Sequence, residues 1–326
     1  MNNSSTLPFY LCTYYFSMSS VIRVQHLSKQ FKDTLAVNDL SFMVNKGDVY
    51  GFLGQNGAGK STTIRMLLTL IRPTGGEIEL FGKKLSTHRS EILKQVGAVI
   101  EKPDLYKYLS AYDNLSIFAR MSGIKPAREK LMNQLKLVGL EERAASKVKT
   151  FSQGMKQRLG IAVALVHDPA LIILDEPTNG LDPQGIADIR GLILKLSKEM
   201  GKTILISSHL LSEIEMVANR MIIIHKGKKM VEGSVAELLD PAHTLIRVEA
   251  QNTTEAKLKL QATKWRDFIQ PGSQLQLMMN RDDVPQLIND LVSLQVPVLS
   301  VHSSHSLENY FLSLTTEPGH AESFAN

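Results

Sequence analysis

The sequence predicts an α/β fold: a parallel-sheet core carrying a helical insert, followed by a small C-terminal α/β accessory domain. Three observations carry this. Short apolar runs bounded by Gly, Asp or Pro recur through the first two thirds of the chain. The stretch at about 104–165 has few β-branched runs and carries helical periods instead. After Asp240-Pro241 a fresh alternation of strand and helix periods begins. Apolar runs this short suit strands buried on both faces of a parallel sheet.

Taken in order, residues 1–20 form an N-terminal extension. Its aromatics, Phe9, Tyr10, Tyr14, Tyr15 and Phe16, come before any Lys or Arg, whereas a signal peptide opens on a basic region. Met18 is followed by the strand-like alternation Val21-Ile22-Arg23-Val24, so the hypothesis here is that translation starts at Met18. Mass spectrometry of the native N-terminus showing Met1 or Asn2 would refute it. A core domain is expected over 21–239, with strands at 48–53, 77–81, 96–100, 171–174, 203–206 and 221–224. Within the helical insert, Ser110 and Asp113 read as a capping pair and Pro126 opens a second helix. The accessory domain, 240–326, reads as strand 245–249, helix 254–263, strand 274–278, helix 284–294, strand 297–302 and helix 307–314, with a frayed end from Thr316.

Composition excludes several classes. The excess of 37 Lys plus Arg over 32 Asp plus Glu gives a net charge of +5, too small to argue for nucleic acid, and no nucleic-acid partner is expected. Cys12 is the single cysteine, so neither an internal disulfide nor a thiolate zinc cage is available, and a reducing compartment is the simplest reading. The apolar stretch 159–174 is broken by His167, Asp168 and Pro169, short of the ~18–20 apolar residues that span a bilayer.

Between the strand ending at Leu53 and a helix starting near Lys60 lies Gly54-Gln55-Asn56-Gly57-Ala58-Gly59-Lys60-Ser61-Thr62. This fits G-x-x-x-x-G-K-S/T in the strand–loop–helix setting it requires. Glycines let the loop close until its N–H groups converge, and the helix N-terminus adds a positive dipole, so phosphate is the natural guest. Lys60 would bridge the β- and γ-phosphates, and the Ser61 hydroxyl would ligate Mg²⁺. By chance the bare pattern arises in roughly one chain in a hundred of this length. Its weight comes from Leu171-Ile172-Ile173-Leu174-Asp175-Glu176, an apolar strand ending in two carboxylates, where open α/β sheets place ligand chemistry. Asp175 would hold Mg²⁺ and Glu176 would polarise the attacking water. Downstream, Ser152 stands at an N-cap position and Gly154 leaves N–H groups open, giving a second anion-receptive helix end. His209, closing the strand-like Ile204-Leu205-Ile206-Ser207-Ser208, adds a hydrogen-bonding group for a γ-phosphate.

These segments, with Phe151-Ser152-Gln153-Gly154-Met155 and Asn179-Gly180-Leu181-Asp182, come in the order and spacing of an ATP-binding-cassette (ABC) ATPase, a P-loop NTPase. The resemblance covers about 21–235. Lys156-Gln157-Arg158-Leu159, Ile100-Glu101-Lys102-Pro103-Asp104-Leu105-Tyr106 and the closing Ser306-Leu307-Glu308-Asn309-Tyr310-Phe311-Leu312-Ser313-Leu314 look like the ATP-binding subunits of bacitracin and lantibiotic-immunity exporters. The resemblance implies a head-to-tail dimer, of two identical chains or of paired ATPase subunits, with each ATP between the loop at 54–62 of one and the Ser152/Gly154 turn of the other. Asp182 would align the facing site, and Phe31 would stack on adenine unless it belongs to the core of the first sheet. The family's Leu-Ser-Gly-Gly-Gln reads Phe-Ser-Gln-Gly-Met here, keeping Ser152 and Gly154. Glu101 replaces the family's glutamine, a carboxylate that can still bind Mg²⁺ but brings negative charge near the γ-phosphate. Residues 102–112 are the implied contact with a separate membrane permease, set against an ordinary surface loop.

The implied protein is a peripheral ATPase at the cytoplasmic face of the membrane, needing ATP and Mg²⁺ and driving export of a peptide antibiotic or similar amphiphile. A non-transport ABC ATPase switching a cytosolic partner is the alternative; soluble members usually carry two cassettes, and one is found here. An import ATPase is disfavoured by the detailed likeness alone.

Overall fold

A computed structural model describes residues 20–125, 127–238 and 244–305. Residues 1–19 of the expected extension, Pro126, the Asp240-Pro241 boundary and the helix at 307–314 lie outside the described residues, while Ser20 already belongs to the first strand. The chain divides after Glu232 into two compact units.

The first unit opens with two long strands, β1 (Ser20–Phe31) and β2 (Thr34–Asn45), paired antiparallel with several register shifts. Next come β3 (Val49–Leu53), helix α1 (Lys60–Leu67), β4 (Gly75–Leu80), β5 (Lys83–Lys84), α2 (Leu85–Leu93) and β6 (Val96–Val99). Helices α3 (Ala111–Met121), α4 (Arg128–Leu137) and α5 (Gln153–Ala164) separate β6 from β7 (Leu171–Asp175). After β7 follow α6 (Pro183–Lys198), β8 (Thr203–Ser208), α7 (Leu211–Glu215), β9 (Arg220–His225) and β10 (Lys228–Ser234).

Two sheets form, in the orders β2-β1-β4-β5 and β10-β9-β3-β8-β7-β6. In the second, β9, β3, β8, β7 and β6 run parallel, and every residue of β3, β7 and β8 is buried. Burial on both faces is what their unbroken apolar runs require. One expected member is absent: the run at 77–81 belongs to β4, which pairs antiparallel with β1 in the other sheet. Its Glu77-Ile78-Glu79-Leu80 alternates, so one face meets solvent and the other the core, the pattern of an antiparallel strand rather than a doubly covered one. An apolar core that includes Ile22, Leu40, Phe52, Ile64, Leu67, Ile173 and Leu205 joins the two sheets around α1. The sheet thereby fixes α1 and presents the C-terminal ends of β3, β7 and β8 together.

Two of the three helices of the insert, α3 and α5, start on side-chain caps, whereas α4 follows Ala127 and has none. Ser110 Oγ accepts from Asp113 N at 3.0 Å, and Ser152 Oγ accepts from Met155 N at 3.2 Å. The second unit holds α8 (Val235–Leu238), β11 (Thr244–Ala250), α9 (Thr253–Gln261), β12 (Leu275–Met279), α10 (Val284–Ser293) and β13 (Val298–His305). Its antiparallel sheet, β12-β11-β13, packs with Ala256, Leu260, Trp265, Leu287 and Leu291 into a core of its own. Trp265 is 3% exposed and its Nε1–H donates to Asp290 Oδ2 at 2.8 Å.

Candidate functional site

The loop 54–59 leaves β3 and enters α1 with Gly57 at φ 82° and Gly59 at φ 106°. A Cβ at Gly59 would fall 2.6 Å from Ala36 O, and one at Gly54 would fall 2.6 Å from Ile224 O, so close backbone approach demands glycine at both. Gly59 caps α1 without a side chain, leaving the first-turn N–H groups facing the loop. Gln55, Asn56 and Gly57 are exposed; Gly54, Ala58, Gly59 and Lys60 are buried; Ser61 and Thr62 follow half-buried in the first turn of α1.

Lys60 is 4% exposed. Its Nζ donates to Gly54 O at 2.6 Å and Gln55 O at 3.2 Å, and lies 3.1 Å from Glu176 Oε1. The lysine therefore reaches back under the loop that carries it.

At the end of β7, Asp175 is 1% exposed; its Oδ1 accepts from Ser207 Oγ at 2.6 Å, while its Oδ2 is buried with no partner. Glu176 sits at φ 48°, uncommon for a residue with a side chain. Its N–H donates to Ser207 Oγ at 2.9 Å. Its Oε2 lies 3.2 Å from His209 Nδ1 and accepts from Asn179 Nδ2 at 3.3 Å. The structure thus brings Lys60, Asp175, Glu176 and His209 together at three strand ends.

Other predicted residues lie differently. Ser152 and Gln153 are exposed at the start of α5, where Gln153 Nε2 donates to Asn179 O at 3.2 Å. Asp182 caps α6, its Oδ1 accepting from Gly185 N at 3.0 Å. A Cβ at Gly154 would meet only Gly185 Cα, at 3.7 Å, an ordinary contact. Nothing in the fold of this chain therefore calls for glycine at 154. Phe31 ends β1, the residue 45% exposed and Lys29 Nζ 4.8 Å from its ring centroid, so it is not a core residue. Glu101, at φ 54°, makes an ion pair with Arg65 of α1 at 2.5 Å and shares no hydrogen bond with Ser61 or Asp175.

Ser207, which joins Asp175 to the Glu176 backbone, escaped sequence reasoning, as did Thr178 and Glu213. A serine inside an apolar strand carries no spacing signal; its nearness to Asp175 arises from the β7–β8 register, which pairs the two positions.

A glycine-rich loop over a helix N-terminus, a buried lysine beneath it and strand-end carboxylates beside it define a P-loop nucleoside triphosphatase. A family described as ABC transporter matches residues 37–179. The chain is 40% identical over 303 residues to the uncharacterized ABC transporter ATP-binding protein YhcH of Bacillus subtilis (strain 168), covering 92% of this chain and 97% of that one. It is 50% identical over 215 residues to the bacitracin transport ATP-binding protein BcrA of Bacillus licheniformis, covering 66% and 70%. A dimeric ATP-binding cassette solved in a post-hydrolysis state with ADP and phosphate superposes with a TM-score of 0.59 at 26% identity, covering 66% of this chain and 98% of that one. The chain belongs to the ABC transporter family, and it is an ATP-binding, ATP-hydrolysing member.

Proposed function

We propose that this chain is the ATPase subunit of an exporter that moves a peptide antibiotic or similar amphiphile through a separate permease. The observation that carries its chemistry is the placement of Glu176 between Lys60 and His209 at the end of β7. Kinship with a bacitracin transport subunit supports the cargo class.

In this reading the 54–59 backbone and Lys60 bind the β- and γ-phosphates, Glu176 accepts a proton from the attacking water, and His209 donates to the γ-phosphate. The φ of Glu176 and the bond from its N–H to Ser207 hold that carboxylate at one angle. Ser61 and Asp175 would hold Mg²⁺, which when bound neutralises charge on the phosphates. The donor set fits: Asp175 Oδ2 is a buried oxygen without a partner. An ion of this kind is held by one or two protein oxygens together with substrate phosphates and water.

The open helix end at Ser152 and Gly154 receives the nucleotide of a second subunit, with Asp182 beside it, and Phe31 offers its exposed ring to adenine. Closing and reopening of that dimer supplies the stroke. Among the described residues no helix is long and apolar enough to cross a membrane; kinship with transport ATP-binding subunits supports a peripheral position at the cytoplasmic face against a separate permease. The segment 102–112 suits the permease contact: Tyr106 and Tyr108 are 50% and 78% exposed. Asn114, fully buried, pins the Tyr106 backbone through hydrogen bonds of 2.8 Å and 3.1 Å.

The test is steady-state MgATP hydrolysis by the full chain and its Glu176→Gln variant. Turnover should fall by roughly 10²–10⁴-fold, the range of a lost general base, with ATP binding kept. Equal rates for the two chains would overturn the assignment, and recovery from cells with ribosomes alone would overturn the transport role.

A further inference from the structure

Glu213, in the first turns of α7, lies outside every motif used above, yet its Oε2 accepts two hydrogen bonds at once. Thr178 Oγ1 donates at 2.8 Å and Ser208 Oγ at 2.6 Å. Thr178 is two residues beyond Glu176, and Ser208 immediately precedes His209. Both hydroxyl-bearing residues are buried, at 9% and 1% exposure. Ser208 Oγ also accepts from Leu210 N at 3.0 Å, which ties the chain on the far side of His209 to the same carboxylate.

A ring closes through these atoms. It runs from Glu176 along the backbone to Thr178, across Glu213 to Ser208, along the backbone to His209, and back through the 3.2 Å contact between His209 Nδ1 and Glu176 Oε2. The loops bearing Glu176 and His209 leave different strands, and β-sheet pairing stops at the Asp175–Ser207 and Leu53–Ser208 registers. Beyond those registers the side chain of Glu213 bridges the two loops. Hydrogen bonds between a hydroxyl and a carboxylate are short and roughly twice as strong as neutral ones, and burial sharpens the cost of losing them.

We propose that Glu213 is a positioning residue for ATP hydrolysis, one that holds the Glu176 and His209 loops at a fixed separation. The inference rests on the assignment of Glu176 and His209 made above. Among the described residues the hydrogen bonds of the Glu213 carboxylate go to Thr178 and Ser208 rather than to Glu176 or His209 themselves, so its removal should leave nucleotide binding by the 54–60 loop intact and misplace the pair that acts on water and γ-phosphate. A displacement of about 1 Å at such a pair costs on the order of 10²-fold in rate.

The experiment compares full-length wild type, Glu176→Gln, Glu213→Ala and Glu213→Gln for MgATP kcat and KM, with ATP affinity and thermal midpoint measured alongside. Glu213→Ala should lower kcat by roughly 10–100-fold with KM and ATP affinity within about twofold of wild type. Glu213→Gln should recover most of that loss, since its amide oxygen accepts the same two hydroxyls. An effect confined to stability, or one in which Glu213→Gln is no better than Glu213→Ala, would overturn the positioning role. Should Glu213→Ala not fold, the pair Thr178→Val with Ser208→Ala removes both donors at near-constant volume; unchanged kcat in that folded double variant would also overturn it. Wild-type turnover by Glu176→Gln would sink the underlying assignment, whereas an inactive Glu176→Gln beside a fully active Glu213→Ala would sink the bridge alone.

Discussion

Helix α5 contains two glycines that the fold treats in opposite ways, and substituting alanine at each separates stability from turnover. At Gly154 an added methyl meets only Gly185 Cα at 3.7 Å. Alanine there should stabilise the folded chain by about 0.5–1 kcal/mol, because it loses less backbone freedom on entering a helix. For a unit of this size, ending at Glu232, that corresponds to a rise of roughly 1–4 °C in Tm. The same methyl stands on the helix end proposed to face the partner's triphosphate, so turnover should drop by at least ~10-fold. At Gly160 a methyl would fall 2.4 Å from Pro103 Cβ, and alanine there should cost about 1–3 kcal/mol through overpacking. Calorimetry and steady-state hydrolysis on the same preparations decide the matter. A Gly154→Ala chain with raised Tm and undiminished ATPase would show that this helix end touches no nucleotide. A lowered Tm would refute the reasoning from methyl clearance itself.

Three further outcomes follow from the geometry. Ser207→Ala strips the partner from Asp175 Oδ1 and from the Glu176 N–H, and should lower stability by about 1–3 kcal/mol in urea titration. Arg65→Gln breaks the pair with Glu101; with the side chains 42% and 62% exposed, the cost should stay below about 1 kcal/mol and shrink further in high salt, as thermal denaturation at two ionic strengths would reveal. Leu291→Ala empties a fully buried position in the core of the second unit and should cost about 2–5 kcal/mol, read from the loss of circular dichroism with denaturant.

Much of the core was legible because its elements answer to local rules. The apolar runs that became β3, β6, β7, β8 and β9 announced burial on both faces, and the glycine spacing before Lys60 announced the loop. Glu77-Ile78-Glu79-Leu80 shows the limit: run length suggested the parallel sheet, while the alternation of charge, which decides the matter, pointed to an antiparallel partner. The β1–β2 hairpin was harder still, since its register shifts break the two-residue period that would have marked both strands from end to end. At the site, Lys60, Asp175, Glu176 and His209 could be read because each sits at a strand end or loop of defined spacing. Ser207, Thr178 and Glu213 could not, because their importance is created by which strands lie side by side. Arg65 is of the same kind: no pattern within α1 foretells its partner Glu101 on another strand's end.

Trp265 is the chain's sole tryptophan, enclosed in the second unit with its indole N–H on Asp290 and Lys264 Nζ 4.7 Å from its ring centre. Red-edge ultraviolet excitation consequently illuminates one unit and leaves the nucleotide-handling one dark. The protein carries a native optical reporter confined to its second unit, whose unfolding can be followed separately from that of the first.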